Sequence, residues 1–232
     1  MGEYMHTKGR YRADDSMAQL ICDNHIMLLI MSRFGIALGF ADKSISEVCD
    51  ENGVDCTTFL AVSNLILRGG DSCYKPSLDG VNIKDLVRYL HSSHDHYLTS
   101  RLPKIGNKLR EVLSDDKIST LIMRYFEDYI LQIKAHLCYE EEKLFPYITK
   151  LIAGDDTDGY SVDEFCKIHD HIDKPLTEFK DVIIKYYSAE NSEEVVSVIH
   201  DLLTCVYDLS QHNMVEDRLL VPLIRKIEAD GR

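Results

Sequence analysis

Residues 136–146 read HLCYEEEKLFP and residues 212–222 read HNMVEDRLLVP. Each is a histidine, three residues, a glutamate, and then an apolar pair before proline. Both lie in stretches of helical spacing. Ile122, Phe126, Tyr129, Ile133, His136, Glu140 and Leu144 recur at three- and four-residue steps, and so do Leu202, Cys205, Leu209, His212, Glu216, Leu220 and Leu223. Residues four apart share one face of a helix. Each stripe therefore sets an imidazole beside a carboxylate inside an otherwise apolar face. A carboxylate there is costly unless hydrogen bonds, a counter-charge or a metal ion compensate it.

Upstream of each stretch stands the tripeptide His-Asp-His, in HDHYL (94–98) and in HDHID (169–173). Its two histidines lie about 200° apart around a helix axis, so one of each pair faces inward. His94 precedes His136 by 42 residues and His169 precedes His212 by 43. Pairing His96 with His171 keeps the same near-equality, and His91, one turn before His94, is a further competitor. With the first histidine of each tripeptide, the inward groups are His94, His136, Glu140, His169, His212 and Glu216. Four imidazoles and two carboxylates suit two ions, each held by two imidazoles and by one oxygen from each bridging glutamate. Such a mixed set favours iron, manganese or zinc over calcium or magnesium. Asp95, Asp170, Glu141 and Glu142 fall beside that face and read as solvated carboxylates. Cys138 and Cys166 read as small hydrophobes, and Tyr129 as core packing.

Helical periodicity dominates the chain and β-type alternation is hard to find anywhere, so the expected fold is all-α. Four long patterns, at about 82–111, 115–152, 161–187 and 192–228, are joined by polar turns such as AGDDTDGY and SAENS. They predict an up-and-down four-helix bundle in which the repeat forms two related helical hairpins. Ser161 and Glu164 offer a capping box for the third helix. Pro103 and Pro175 follow the two His-Asp-His tripeptides and predict a kink or local break in the first and third helices. Ahead of the bundle, three short helices are expected: SMAQLICDNHIMLLIMSRF, SISEVCDENG with a Ser44–Glu47 capping box and Gly53 as its stop, and DCTTFLAVSNLILRGG opening on Asp55. RGGDSCYKPSLDG reads as a linker. The expected organisation is a small helical domain at 1–70, a linker at 71–80 and the bundle at 81–232.

The chain has 232 residues, 45% of them apolar, enough for a sizeable core. Lys plus Arg number 26 against 39 Asp plus Glu, a formal charge of −13. That charge repels phosphate backbones and anionic membranes, so neither nucleic acid nor a membrane is an expected partner. Seven scattered cysteines without a C-x-x-C spacing point to a reducing compartment, read as the cytoplasm. No export signal or membrane span is visible. Catalytic triads, phosphate-cradling glycine loops and zinc-finger spacings are also missing from the sequence.

The H-x-x-x-E pairs, their spacing and the LFP and LVP tails resemble the hemerythrin-like di-iron proteins, and among them the repair-of-iron-centres (RIC) family. MSRFGIALGFADKSISEVCDENGVDCTTFLAVSNLIL looks like the small helical domain that precedes the bundle in that family. The family carries an adjacent cysteine pair there; this chain has Gly39 and Phe40 instead, which removes any role of that pair. The resemblance implies histidine ligands at His94, His136, His169 and His212, and bridging glutamates at Glu140 and Glu216. It implies a non-haem di-iron cofactor with an oxo or hydroxo bridge, and a stress-response function in repairing iron-sulfur clusters damaged by nitric oxide or oxidants. The expected partners are damaged iron-sulfur proteins or the diatomic ligands NO and O2, with a homodimer left open. The alternatives are an O2- or NO-binding or sensing protein and a di-iron NO or peroxide reductase.

Overall fold

The computed structural model describes residues 10–68, 71, 73–114, 116–168, 173–187 and 192–230. Among them the secondary structure is helical, with one isolated β-bridge between Ser16 and Ser44. The all-α expectation holds. Contacts divide the chain into two compact units, Met1–Ser93 with Met214–Asp230, and His94–Asn213.

The first unit opens with α1 (Met17–Asp23), α2 (Met27–Arg33), α3 (Ile45–Glu51) and α4 (Cys56–Arg68). The single helix expected over SMAQLICDNHIMLLIMSRF is thus two. Asn24 breaks it: its backbone is extended at φ −153° and ψ 102°, and its side-chain oxygen accepts the Ile26 N–H at 3.2 Å. An asparagine that bonds its own backbone two residues on offers the chain a turn in place of another helical bond. Elsewhere the local signals act as read. Ser44 and Glu47 form the capping box of α3, Gly53 stands at φ 64° beyond its end, and Asp55 Oδ1 accepts the Thr58 N–H at 2.7 Å to start α4. Asn64 ties this unit together from inside, its amide accepting the Tyr11 N–H at 2.7 Å and donating to the Tyr11 carbonyl at 3.0 Å. Phe34 packs against Phe59 and Tyr89.

Among the described residues there follow α5 (Ile83–His96), α6 (Leu102–Val112), α7 (Lys117–Tyr139), α8 (Phe145–Ala153), α9 (Val162–Ile168), α10 (Asp173–Tyr186), α11 (Ser192–Val215) and α12 (Val221–Asp230). In the second unit, residues from four helical stretches close on one core. Tyr97, Ile105, Phe126, Ile133, Leu176, Phe179, Leu202 and Leu209 are among its buried members. Four amphipathic helices with one shared apolar interior are a helical bundle. Polar ties fasten its edges, with Asp201 taking Lys108 at 2.5 Å and the Tyr97 hydroxyl donating to the Asp208 carbonyl at 3.1 Å.

At Pro103 the irregularity takes the form of a π turn in a continuous helical stretch, and the same form recurs at Pro146 and Pro222. Between α5 and α6, α7 and α8, and α11 and α12 the chain stays helical through a single wide π turn, at Tyr97–Arg101, Glu140–Leu144 and Glu216–Leu220. In each case the residue just before the proline donates its N–H five residues back: Leu102 to Tyr97, Phe145 to Glu140 and Val221 to Glu216. Pro103, Pro146 and Pro222 come next. Proline lacks an N–H, and its ring collides with the carbonyl four residues back in a regular helix; a widened turn accommodates that conflict while the chain stays helical. The residues before Pro175 that carry the second His-Asp-His lie outside the described residues.

Candidate metal centre

Two of the three π turns begin on a glutamate of the repeated motif. Glu140 starts the first, after a full α-helical turn from His136 in α7, and Glu216 starts the other, one turn after His212 in α11. Single π turns inside α-helices are rare and recur at functional sites, because they aim a side chain that a regular helix would carry past its target. Both glutamates are fully buried.

Around Glu140 the second unit gathers imidazoles. His136 Nε2 lies 2.8 Å from one carboxylate oxygen; His94 Nε2 lies 3.1 Å and His212 Nε2 4.0 Å from the other. His94, Glu140 and His212 each offer a ligand atom within 4.8 Å of the rest. The side chains of His94 and His212 are 3% and 0% exposed, and that of His136 is 12% exposed. The His94 and His212 rings meet edge to face with centroids 5.1 Å apart. Of the three histidines weighed for the first helix, His94 is the buried one; His91 is exposed and His96 half-buried. His136, Glu140, His94 and His212 are thus brought together. Glu216 continues the buried face of His212 on the next turn of its helix, and His169 lies outside the described residues.

Two neighbours escaped the sequence reading. Glu141, read as a solvated carboxylate, has its Oε1 2.6 Å from His94 Nδ1. Glu140 and Glu141 are the first two residues of the π turn, and their carboxylates meet the two nitrogens of one imidazole. Nothing in the residue spacing marks that turn, although the proline six residues after Glu140 accompanies it at all three sites. Tyr97 is the other: it opens the first π turn, is fully buried, and sets its ring edge to face against His212 at 5.8 Å. Phe145 stacks on His94 at 5.5 Å. Cys166, read as a small hydrophobe, is exposed, and Cys138 is half-buried.

The donor set fits a transition-metal cation. A buried carboxylate faced by three imidazoles is compensated when a cation sits among them, and mixed imidazole and carboxylate donors suit iron, manganese or zinc. No described helix is long and apolar enough to cross a membrane.

Comparison with known proteins agrees with the geometry. No curated protein and no solved structure is similar enough to this chain to count as a match. The sequence model of the hemerythrin HHE cation binding domain, however, matches residues 85–224, which include both H-x-x-x-E motifs and both His-Asp-His tripeptides. With more than half of its length matched and a buried His/Glu cluster inside the matched region, the chain belongs to the hemerythrin family of HHE cation-binding proteins.

Proposed function

We propose that the chain is a non-haem di-iron protein that repairs iron-sulfur clusters damaged by nitrosative or oxidative stress. The observation that carries the metal part is the buried Glu140 carboxylate, faced by His94, His136 and His212. In this reading those imidazoles, with His169, and the carboxylates of Glu140 and Glu216 would hold the two irons. Bound iron would supply an open coordination position for a diatomic molecule and a store of metal that can be passed on. The protein's share is to hold His94, His136, Glu140 and His212 together, to keep bulk water from Glu140, and to leave one edge accessible at the partly exposed His136. An accessible edge suits exchange of iron with a client better than a sealed store does.

The repair role is supported by the set of four histidines and two glutamates and by the small helical segment ahead of the bundle, both of which resemble the RIC family. A second reading, reversible binding or sensing of O2 or NO, is favoured by the family match itself, which specifies cation binding and no more. Protein purified from iron-replete cells is expected to carry a pair of irons per chain, with iron-dependent near-ultraviolet absorption that disappears in Glu140→Ala and Glu216→Ala. Repair then predicts that wild type, and neither variant, restores activity to a nitric-oxide-treated iron-sulfur enzyme. Equal restoration by the variants would refute it, and a stable, reversible O2 or NO complex without restoration would establish the second reading.

A further inference from the structure

Both nitrogens of His94 face carboxylates, and the two carboxylates are consecutive residues. Nε2 lies 3.1 Å from Glu140 Oε2, and Nδ1 lies 2.6 Å from Glu141 Oε1. His94 belongs to α5 and both glutamates to the π turn after α7, so the contact spans two helices within one unit. The His94 side chain is 3% exposed, whereas that of Glu141 is 32% exposed. The imidazole is thus inside the bundle and the carboxylate on its Nδ1 side reaches in from the rim. Phe145, on the same helical stretch as both glutamates, stacks on the ring at 12° and fixes its plane.

A neutral imidazole has one nitrogen that donates and one that accepts, and the partner of the first decides which way the second presents its lone pair. Resting on the metal-centre reading above, we infer that Glu141 is a positioning residue for the cation site. It takes the Nδ1–H of His94 and so directs the Nε2 lone pair to the Glu140 side, where the metal is held. A carboxylate on the far nitrogen of a ligating histidine also raises the basicity of the ligating one. Glu141 does not touch the metal in this arrangement and acts through His94. The other copy of the motif carries an acid at the same place: Asp217 precedes Pro222 by five residues, as Glu141 precedes Pro146.

The test uses the full chain with zinc as the probe, since zinc is redox-silent and suits the same donors. Affinity is read by competition with a chelating dye in wild type, Glu141→Ala, Glu141→Gln, His94→Ala and the double variant Glu141→Ala/His94→Ala. Loss of a histidine's outer hydrogen-bond partner typically costs about 10–100-fold in metal affinity. Glu141→Ala is expected to fall in that range, and Glu141→Gln, whose amide oxygen still accepts the Nδ1–H, is expected to lose less. The double variant is expected to bind no more weakly than His94→Ala alone, because Glu141 has nothing to act on once the ring is gone. In the metal-free protein a far-downfield imidazole N–H resonance is expected in the proton spectrum of wild type and not in Glu141→Ala. A strut that only tied two helices would lower the unfolding temperature without moving zinc affinity. Wild-type affinity in Glu141→Ala, or a double variant weakened by the product of the two single effects, overturns the inference while the metal centre stands. Failure of wild type to take up zinc or iron overturns the metal-centre reading and this inference with it.

Discussion

Asn64 shows how much a single polar side chain decides when it is buried. It is 2% exposed, and its amide serves both backbone groups of Tyr11, fastening the segment ahead of α1 to α4. Asn64→Ala leaves a buried N–H and a buried carbonyl to lose their partner, at about 1–3 kcal/mol for each group. The variant is expected to unfold at visibly lower urea than wild type, with an unchanged slope, and a midpoint equal to wild type would refute the assignment. The sequence reading passed over Asn64 because an asparagine inside AVSNLIL carries no periodic signal. His136, Glu140, His212 and Glu216 were legible for the opposite reason: a charged or titratable residue on an apolar stripe stands out by its cost. Glu141 was not, since the ring it meets, His94, lies 47 residues away in the chain.

Among the elements, the short helices are fixed by their ends. Glu47 accepts the Ser44 backbone N–H at 2.8 Å, and that bond, followed by the Ser44 hydroxyl, holds its carboxyl below the usual carboxylate range. A carboxyl lowered in the folded state adds stability that is complete above its ordinary value of about 4.3 and is lost as pH falls through the lowered one. Glu47→Gln is expected to flatten the acid limb of the stability curve below that value. A curve that keeps the wild-type slope there would show that the capping box does not carry it. The π turns belong to this scale too. Each of the three precedes a proline by one intervening residue, the helix continues past that proline, and at Glu140 and Glu216 the turn opens on the glutamate of the motif.

For the whole molecule, a cation that binds the folded chain and not the unfolded one stabilises it by mass action. With free metal about 100-fold above its Kd the gain is about 2.7 kcal/mol, which for a chain of this size corresponds to a rise of roughly 5–10 °C in Tm. Stripping iron with a chelator is expected to lower Tm by that amount and adding it back to restore it. A Tm that ignores metal would leave the His/Glu cluster a purely structural network. The formal charge of −13 makes the folded chain a favourable host for cations in general, so the control is His136→Ala, in which the shift is expected to shrink.

By itself the sequence determined the helical class, the four amphipathic stretches and the pairing of histidine with glutamate, because all of these follow from residues three and four apart on one helix. It also determined the capping of α3 and the start of α4, which need only neighbours within one turn. Only the tertiary structure decided which of His91, His94 and His96 is buried, that Asn24 divides the first helix, and that Glu141 meets His94. The first and last depend on packing between helices far apart in the chain, His94 and Glu141 being 47 residues apart, and the Asn24 break on a side-chain bond to its own backbone that the helical spacing across it does not mark.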